Sequence, residues 1–304
     1  MKPTTTSAFT SALYLVDASI YIFRSYFSIP DSFVAGNGES VNAVYGYTQF
    51  LLDLIERQPE YISVAFDESL NTCYRNEIYP AYKANRDLPD KNLEFQLARC
   101  QEVTELLGFH CLSLYNYEAD DIIGTMMRRF SDNRPAVIIT RDKDLGQLLG
   151  VGDTLWDFAA DQYSDRAAIK EKFGVEAEQM ADYLALAGDS VDNIPGAPGI
   201  GAKTAAALLS HFDTLDGIYD SLDQIQSIGI RGAARVQKSL QDNRDRVRMF
   251  QQITQINCDV PLDVSLSELT ITPRSTDELL SFCDAMAFGT GIRSRIEKHC
   301  RDSV

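Results

Sequence analysis

Much that usually announces a protein's function is scarce in this sequence. Of 304 residues only three are histidine, six cysteine and one tryptophan. His110, His211 and His299 stand apart from the acidic motifs, and no two cysteines form a C-x-x-C pair, which disfavours zinc and a disulfide framework. Several cysteines sit inside apolar runs and read as reduced packing residues. No apolar run approaches the roughly 18–20 residues of a membrane span, and the opening MKPTTTSAFTSA lacks the apolar stretch of a secretory signal. A cytoplasmic protein without membrane contact is expected, its residues 1–11 forming a loose tail. No Walker-type loop or kinase signature is present, so transfer from a nucleoside triphosphate is disfavoured.

Positive charge is also short: 28 Lys and Arg face 44 Asp and Glu, a net charge of −16. Such a balance argues against a nucleic-acid partner. The objection weakens if carboxylates hold metal ions, because the ions offset local charge that a global count misses. Two divalent ions would still leave −12. Contact with a polyanion therefore needs local basic surface, and residues 227–250 supply it: Arg231, Arg235, Lys238, Arg244, Arg246 and Arg248 against Asp242 and Asp245. A solvated helix face is the alternative.

What the sequence does have is alternation. ALYLVD (12–17), YISVAFD (61–67) and AVIITRD (136–142) are short, nearly continuous apolar runs that each end in an acid, as strands buried on both faces do. Helical patterns lie between them, at VYGYTQFLLDLIERQ (44–58) and EFQLARCQEVTELLG (94–108). The chain therefore reads as α/β, with a central, mostly parallel sheet flanked by helices. Ligands of such sheets bind beyond the carboxyl ends of the strands, where Asp17, Asp67 and Asp142 are expected. Each aspartate alone suits a turn or a helix cap. Three in the same structural place point to a shared site.

The densest acidic motif is YEADDIIGTMMRRF (117–130), whose apolar residues mark a helix with one buried face. Glu118 stands at its start and Asp120 and Asp121 in its first turn. Complementing the helix dipole, worth about 0.3–1 kcal/mol per acid, does not need three acids in four residues. Their repulsion calls for a cation. TRDKDLGQLL adds Asp142 at a strand end and Asp144 at the next helix start, and GDSVDNIPG adds Asp189 and Asp192 in a loop. Nine carboxylates and no nearby histidine suit Mg²⁺, with Mn²⁺ as a substitute. Carboxylate-held Mg²⁺ serves phosphoryl chemistry, here hydrolysis. Glycine-rich turns precede helices at GAPGIGAKTA and SIGIRGAA, where free backbone N–H groups can hold phosphate.

In family order, the stretches LVDASIYIFRSYF, VAFDESLNTCYRNEIYPAYKANR, YEADDIIGT, TRDKDLGQLL, LALAGDSVDNIPGAPGIGAKTA and SIGIRGAA cover roughly residues 12–250. The chain thereby resembles the 5′→3′ exonuclease and flap endonuclease family, most closely the N-terminal nuclease domain of bacterial DNA polymerase I. Residues 273–296 look like the link that ends that domain, and a chain standing free of a polymerase is expected. The resemblance implies a PIN-like core over 12–195 with a helical arch at about 68–100. It further implies a helix-three-turn-helix DNA-binding region over 196–255 and a C-terminal segment, 256–304, packed on the core.

By similarity, Asp17, Asp67, Glu118 and Asp120 surround a first metal with Asp121 close by, and Asp142, Asp144, Asp189 and Asp192 serve a second. Lys83 and Arg86 neutralise charge on the scissile phosphate, alongside the metal-holding Asp17 and Asp67 as the catalytic set. DNA is contacted by Phe23, Arg24, Arg75, Tyr82, Lys83, Arg86, Gly199, Gly201, Lys203, Thr204, Gly229 and Arg231, and K⁺ binds in the helix-three-turn-helix region. Phe23 suits base stacking and a place in the core equally. Arg141 stands where polymerase-linked relatives commonly have glycine. The implied activity is two-metal hydrolysis of DNA at 5′ flaps, nicked or gapped duplexes and 5′ ends, and of RNA primers, in replication and repair, by a monomer. The alternative is a DNA-junction binding protein of the same fold with weak or absent catalysis.

Overall fold

The computed structural model describes residues 12–302 except 70, 71, 87, 132 and 133, so the expected N-terminal tail lies outside the described residues. Its strands are β1 (Leu13–Asp17), β2 (Tyr61–Ala65), β3 (His110–Leu112), β4 (Ala136–Ile139), β5 (Thr154–Asp157) and β6 (Gln162–Ser164). The first helices are α1 (Ala18–Ser28), α2 (Asn42–Ile55), α3 (Tyr74–Ile78), α4 (Lys91–Leu106), α5 (Ala119–Phe130), α6 (Arg166–Phe173) and α7 (Met180–Ala187). They are followed by α8 (Ala202–Phe212), α9 (Leu215–Asp220), α10 (Ala233–Asp242), α11 (Arg244–Thr254), α12 (Thr276–Ala285) and α13 (Thr290–Asp302). The chain forms two compact units. One takes residues up to 68, 88–141 and 258 onward, and the other takes 69–87 and 142–257.

In the first unit four parallel strands lie in the order β3-β2-β1-β4. β1 is central because its run is apolar on both faces: Leu13, Tyr14, Leu15 and Val16 are all at most 1% exposed. Burying each leucine or valine side chain among them contributes about 1.5–3 kcal/mol. Parallel strands direct all their carboxyl ends to one rim, so Asp17 and the residues after β2 and β4 come out together. Helix α5 starts where its pattern predicts, with Glu118 as N-cap and Ile122, Ile123, Met126 and Met127 buried. α1 packs on α2 through the stacked rings of Tyr21 and Phe50, 4.1 Å apart. In the C-terminal part of this unit, Arg295 on α13 pairs with Asp53 on α2 and with Glu56, the C-cap of α2.

The second unit is mainly helical, with the antiparallel hairpin β5–β6. Its centre is α7, MADYLALA, buried from Met180 to Leu186. α11 packs along it, and Thr254 Oγ1 donates to the Ala181 carbonyl at 2.9 Å. Asp182 on α7 accepts from Leu215 N at 2.7 Å and from Gln251 Nε2 at 2.6 Å, tying α9 and α11 to the same helix. Where the sequence leads one to expect a helix start at Asp144, the structure has a single 3-10 turn, Asp144–Leu148. Among the described residues no helix is long and apolar enough to cross a membrane.

Candidate active site

In the first unit the acids occupy the carboxyl rim of the sheet. Asp17 is the last residue of β1 and only 4% exposed. Ser19 Oγ donates to its Oδ1 at 2.9 Å and Thr140 Oγ1, just past β4, to its Oδ2 at 3.0 Å. Both oxygens are thus fixed by hydroxyls that leave the negative charge in place. Asp67 follows β2 by two residues, and its Oδ1 accepts from Ala119 N at 2.8 Å. That bond draws the start of α5 to the end of β2. Glu118 and the fully buried Asp121 form a capping box, Glu118 N donating to Asp121 Oδ2 at 3.2 Å. Asp120 is half-buried in the same turn. On α1, Arg24 is exposed and Phe23 half-buried. The Phe23 ring stacks on Phe27, which is 79% exposed, so Phe23 lies at the edge of a surface aromatic pair rather than in the core.

In the second unit Asp142, Asp144, Asp189 and Asp192 share one electrostatic neighbourhood. Burial and the charge of Asp142, together with Asp192 and Asp189, push the Asp144 carboxyl up to about 7 against the opposing pull of Lys143. Lys143 Nζ lies 3.1 Å from Asp144 Oδ1 and is hydrogen-bonded to Asp189. Burial disfavours the lysine's charge, but Asp144 and Asp189 outweigh it and raise its pKa. Lys143 is a residue of this site that motif spacing alone does not single out. The available signal is its place between two acids, which a lysine neutralises locally.

Asp189 and Asp192 sit in a loop closed by glycines. Asp189 and Ile194 exchange backbone hydrogen bonds of 2.7 Å in both directions. At the stems, Gly188 and Gly196 have φ of +83° and +70°, and a Cβ on Gly196 would lie 2.4 Å from Gly188 N. Only glycine fits both places. Asp192 faces the 79–86 turn: Arg86 donates to its Oδ1 at 2.8 Å and Tyr82 Oη to its Oδ2 at 3.3 Å. Lys83 Nζ lies over the Tyr82 ring, 4.9 Å from its centroid.

Two expected DNA contacts are corrected by burial. Arg75 is 2% exposed, and its guanidinium donates to the carbonyls of Ile253 at 2.9 Å and Gln255 at 3.3 Å, capping α11. Tyr82 is 4% exposed and packs among Cys73, Ala185, Ile194, Phe250 and Ile253, out of reach of a base. Gly199, Gly201, Lys203, Gly229 and Arg231 are exposed and Thr204 is half-buried. Gly201 is the N-cap of α8 and Gly232 of α10, and Ser239 Oγ on α10 donates to Pro198 O at 2.6 Å, joining that helix to the first glycine-rich turn.

The family model described as the 5′-3′ exonuclease N-terminal resolvase-like domain matches residues 12–174, and that of the 5′-3′ exonuclease C-terminal SAM fold matches 175–277. The chain belongs to the 5′-3′ exonuclease family. It is accordingly a nuclease, a hydrolase acting on DNA. It is 32% identical over 262 residues to the 5′-3′ exonuclease of Buchnera aphidicola subsp. Schizaphis graminum, covering 85% of this chain and 91% of that one. DNA polymerase I of Rhizobium leguminosarum is 34% identical over 95% of this chain, which spans 28% of that polymerase's length. Among solved structures, T5 5′-exonuclease with bound divalent zinc superposes with a TM-score of 0.67 at 19% identity, covering 96% of this chain and 99% of that one. The catalytic core of Rad2 in complex with DNA substrate gives 0.65 at 16% identity, covering 100% and 96%. At such identities the shared fold is the finding.

The exonuclease's acids fit a hard divalent cation in their chemistry, being all oxygen donors. Among the described residues, however, no three His, Cys, Asp or Glu side chains are gathered tightly enough to hold an ion as they stand. Like charges keep apart until a cation offsets them, and in the second unit an ammonium stands among them in the part a cation would take.

Proposed function

We propose that this exonuclease hydrolyses DNA phosphodiester bonds from 5′ ends and at 5′ flaps, leaving a 5′-phosphate and a 3′-hydroxyl. The observation that carries the reading is the Asp17 carboxylate, buried at a strand end with both oxygens oriented by hydroxyls. Asp17, Asp67, Glu118 and Asp120 would hold one Mg²⁺, and Asp142, Asp144, Asp189 and Asp192 another, with Mn²⁺ able to replace either. When bound, such ions would lend positive charge to the attacking water and to the leaving oxygen. The protein's own part is orientation: Thr140 and Ser19 aim Asp17, the α5 N-terminus aims Asp67, and Lys83 and Arg86 meet charge building on the phosphate. The turns around Gly199–Lys203 and Gly229–Arg231 are assigned to duplex phosphates, the former with K⁺ on its carbonyls. Residues 12–195 would then be the catalytic core with its arch, 196–255 the duplex-binding region and 256–304 a supporting segment. The role we assign it is flap and primer removal in replication and repair, as a monomer in the cytoplasm.

Incubation of a 5′-flap duplex with Mg²⁺ tests it. Cleavage near the junction is expected, abolished by EDTA and by Asp17→Asn. Tight junction binding with no turnover in Mg²⁺ or Mn²⁺ would replace the nuclease with a binding module.

A further inference from the structure

We propose that Asn193 is a positioning residue that holds the Lys83–Arg86 turn against the acidic loop, an inference that rests on the catalytic reading of Lys83 and Arg86. Asn193 Nδ2 donates to the Ala81 carbonyl at 2.7 Å. Beside it, Lys83 N donates to Asp192 O at 3.0 Å and Asn85 Nδ2 to Ser190 O at 3.1 Å. Asn76 Nδ2 holds the same turn from within, donating to Tyr82 O at 2.8 Å. Four bonds thus fix the backbone from Ala81 to Asn85, and three of them come from the loop that carries Asp189 and Asp192.

Two backbone conformations support the assignment. Lys83 and Asn193 both have left-handed φ, +55° and +57°. A lysine keeps that conformation only where its surroundings impose it, and such residues gather where geometry serves function. Asparagine is the side chain that tolerates it best after glycine. It can therefore accept the loop's backbone and still present an amide to Ala81. The loop cannot drift, because Gly188 and Gly196 lock its stems backbone against backbone. One rigid element would thus set the place of two aspartates and, through Asn193, of two cations. A cation meant for charge that develops in the transition state works only if it is already in place.

The test compares Asn193→Gly, which keeps the left-handed backbone and deletes the donor, with Asn193→Asp, which keeps the shape and sets a carboxylate against the Ala81 carbonyl. On 5′-flap DNA with Mg²⁺, kcat is expected to fall roughly 10- to 100-fold for Asn193→Gly and further for Asn193→Asp, with KM within about threefold of wild type. Amide hydrogen exchange in a peptide spanning 79–86 should quicken in both. If Asn193 variants fail to fold, Asn85→Ala, at an exposed residue, should quicken the same peptide and lower kcat by a smaller factor. Unchanged exchange, or faster exchange with unchanged kcat, overturns the proposal. If wild type cuts no DNA, the nuclease reading fails while the exchange data still decide whether Asn193 holds the turn.

Discussion

The acids of the two units are held in different ways. Asp17 accepts from the hydroxyls of Thr140 and Ser19, and Asp67 from the backbone N–H of Ala119. Asp144 and Asp189 instead meet the ammonium of Lys143, and Asp192 the guanidinium of Arg86. A neutral donor orients a carboxylate and leaves its charge for an incoming cation. A cationic donor neutralises the charge and has to be displaced or shared when a metal arrives. The hydroxyls and the N–H thus aim Asp17 and Asp67, whereas Lys143 and Arg86 bring positive charge to the second set.

The largest consequence falls on Asp17. Asp17→Asn removes a charge while preserving shape and both hydroxyl neighbours, so kcat on a 5′-flap duplex should fall on the order of 10³-fold or more with the melting temperature unchanged or raised. Equal loss from Asp192→Asn, whose partner is already a cation, would erase the distinction between the sets. Next comes Thr140→Val, which keeps the volume of a buried side chain and deletes the donor to Asp17 Oδ2. Removing an outer hydrogen bond of this kind should cost roughly 10- to 100-fold in activity or metal affinity. A kcat within twofold of wild type at all Mg²⁺ concentrations would show that the hydroxyl does not orient Asp17.

How much of this was legible in advance follows from where the information lies. β1, β2, β4 and the start of α5 could be read because burial on both faces writes a continuous apolar run, and an N-cap followed by a 3.6-residue period writes a helix. β3 is three half-buried residues, too short to leave a pattern, and β5 does not alternate, its buried Leu155 and Trp156 being adjacent. The acids are legible from residue type and resemblance, with Asp17, Asp67 and Asp142 expected at strand ends, Glu118, Asp120, Asp121 and Asp144 at helix starts and Asp189 and Asp192 in a loop. The donors that aim them are not, because a threonine at a strand end looks like any other. The burial of Arg75 and Tyr82 is illegible in the sequence for a related reason. The partner of Arg75 is 178 residues away, and nothing local tells a surface arginine from one that caps a distant helix.

The smallest effect on turnover, and the sharpest on the contrast between the sets, belongs to Lys143. Its side chain is 33% exposed, so its bonds to Asp144 and Asp189 are partly screened by water. Because Asp189 is buried, Lys143→Met should nevertheless cost the metal-free protein about 1–3 kcal/mol, which lowers the melting temperature by several degrees. Saturating Mg²⁺ should close that gap, because a divalent ion among Asp142, Asp144, Asp189 and Asp192 replaces the lost charge, and kcat should stay within about threefold of wild type. Titrating Mg²⁺ while following thermal unfolding of both proteins separates the possibilities. A gap that persists at every Mg²⁺ concentration would make Lys143 a structural bridge, and the two sets would then differ in packing rather than in the charge their partners bring.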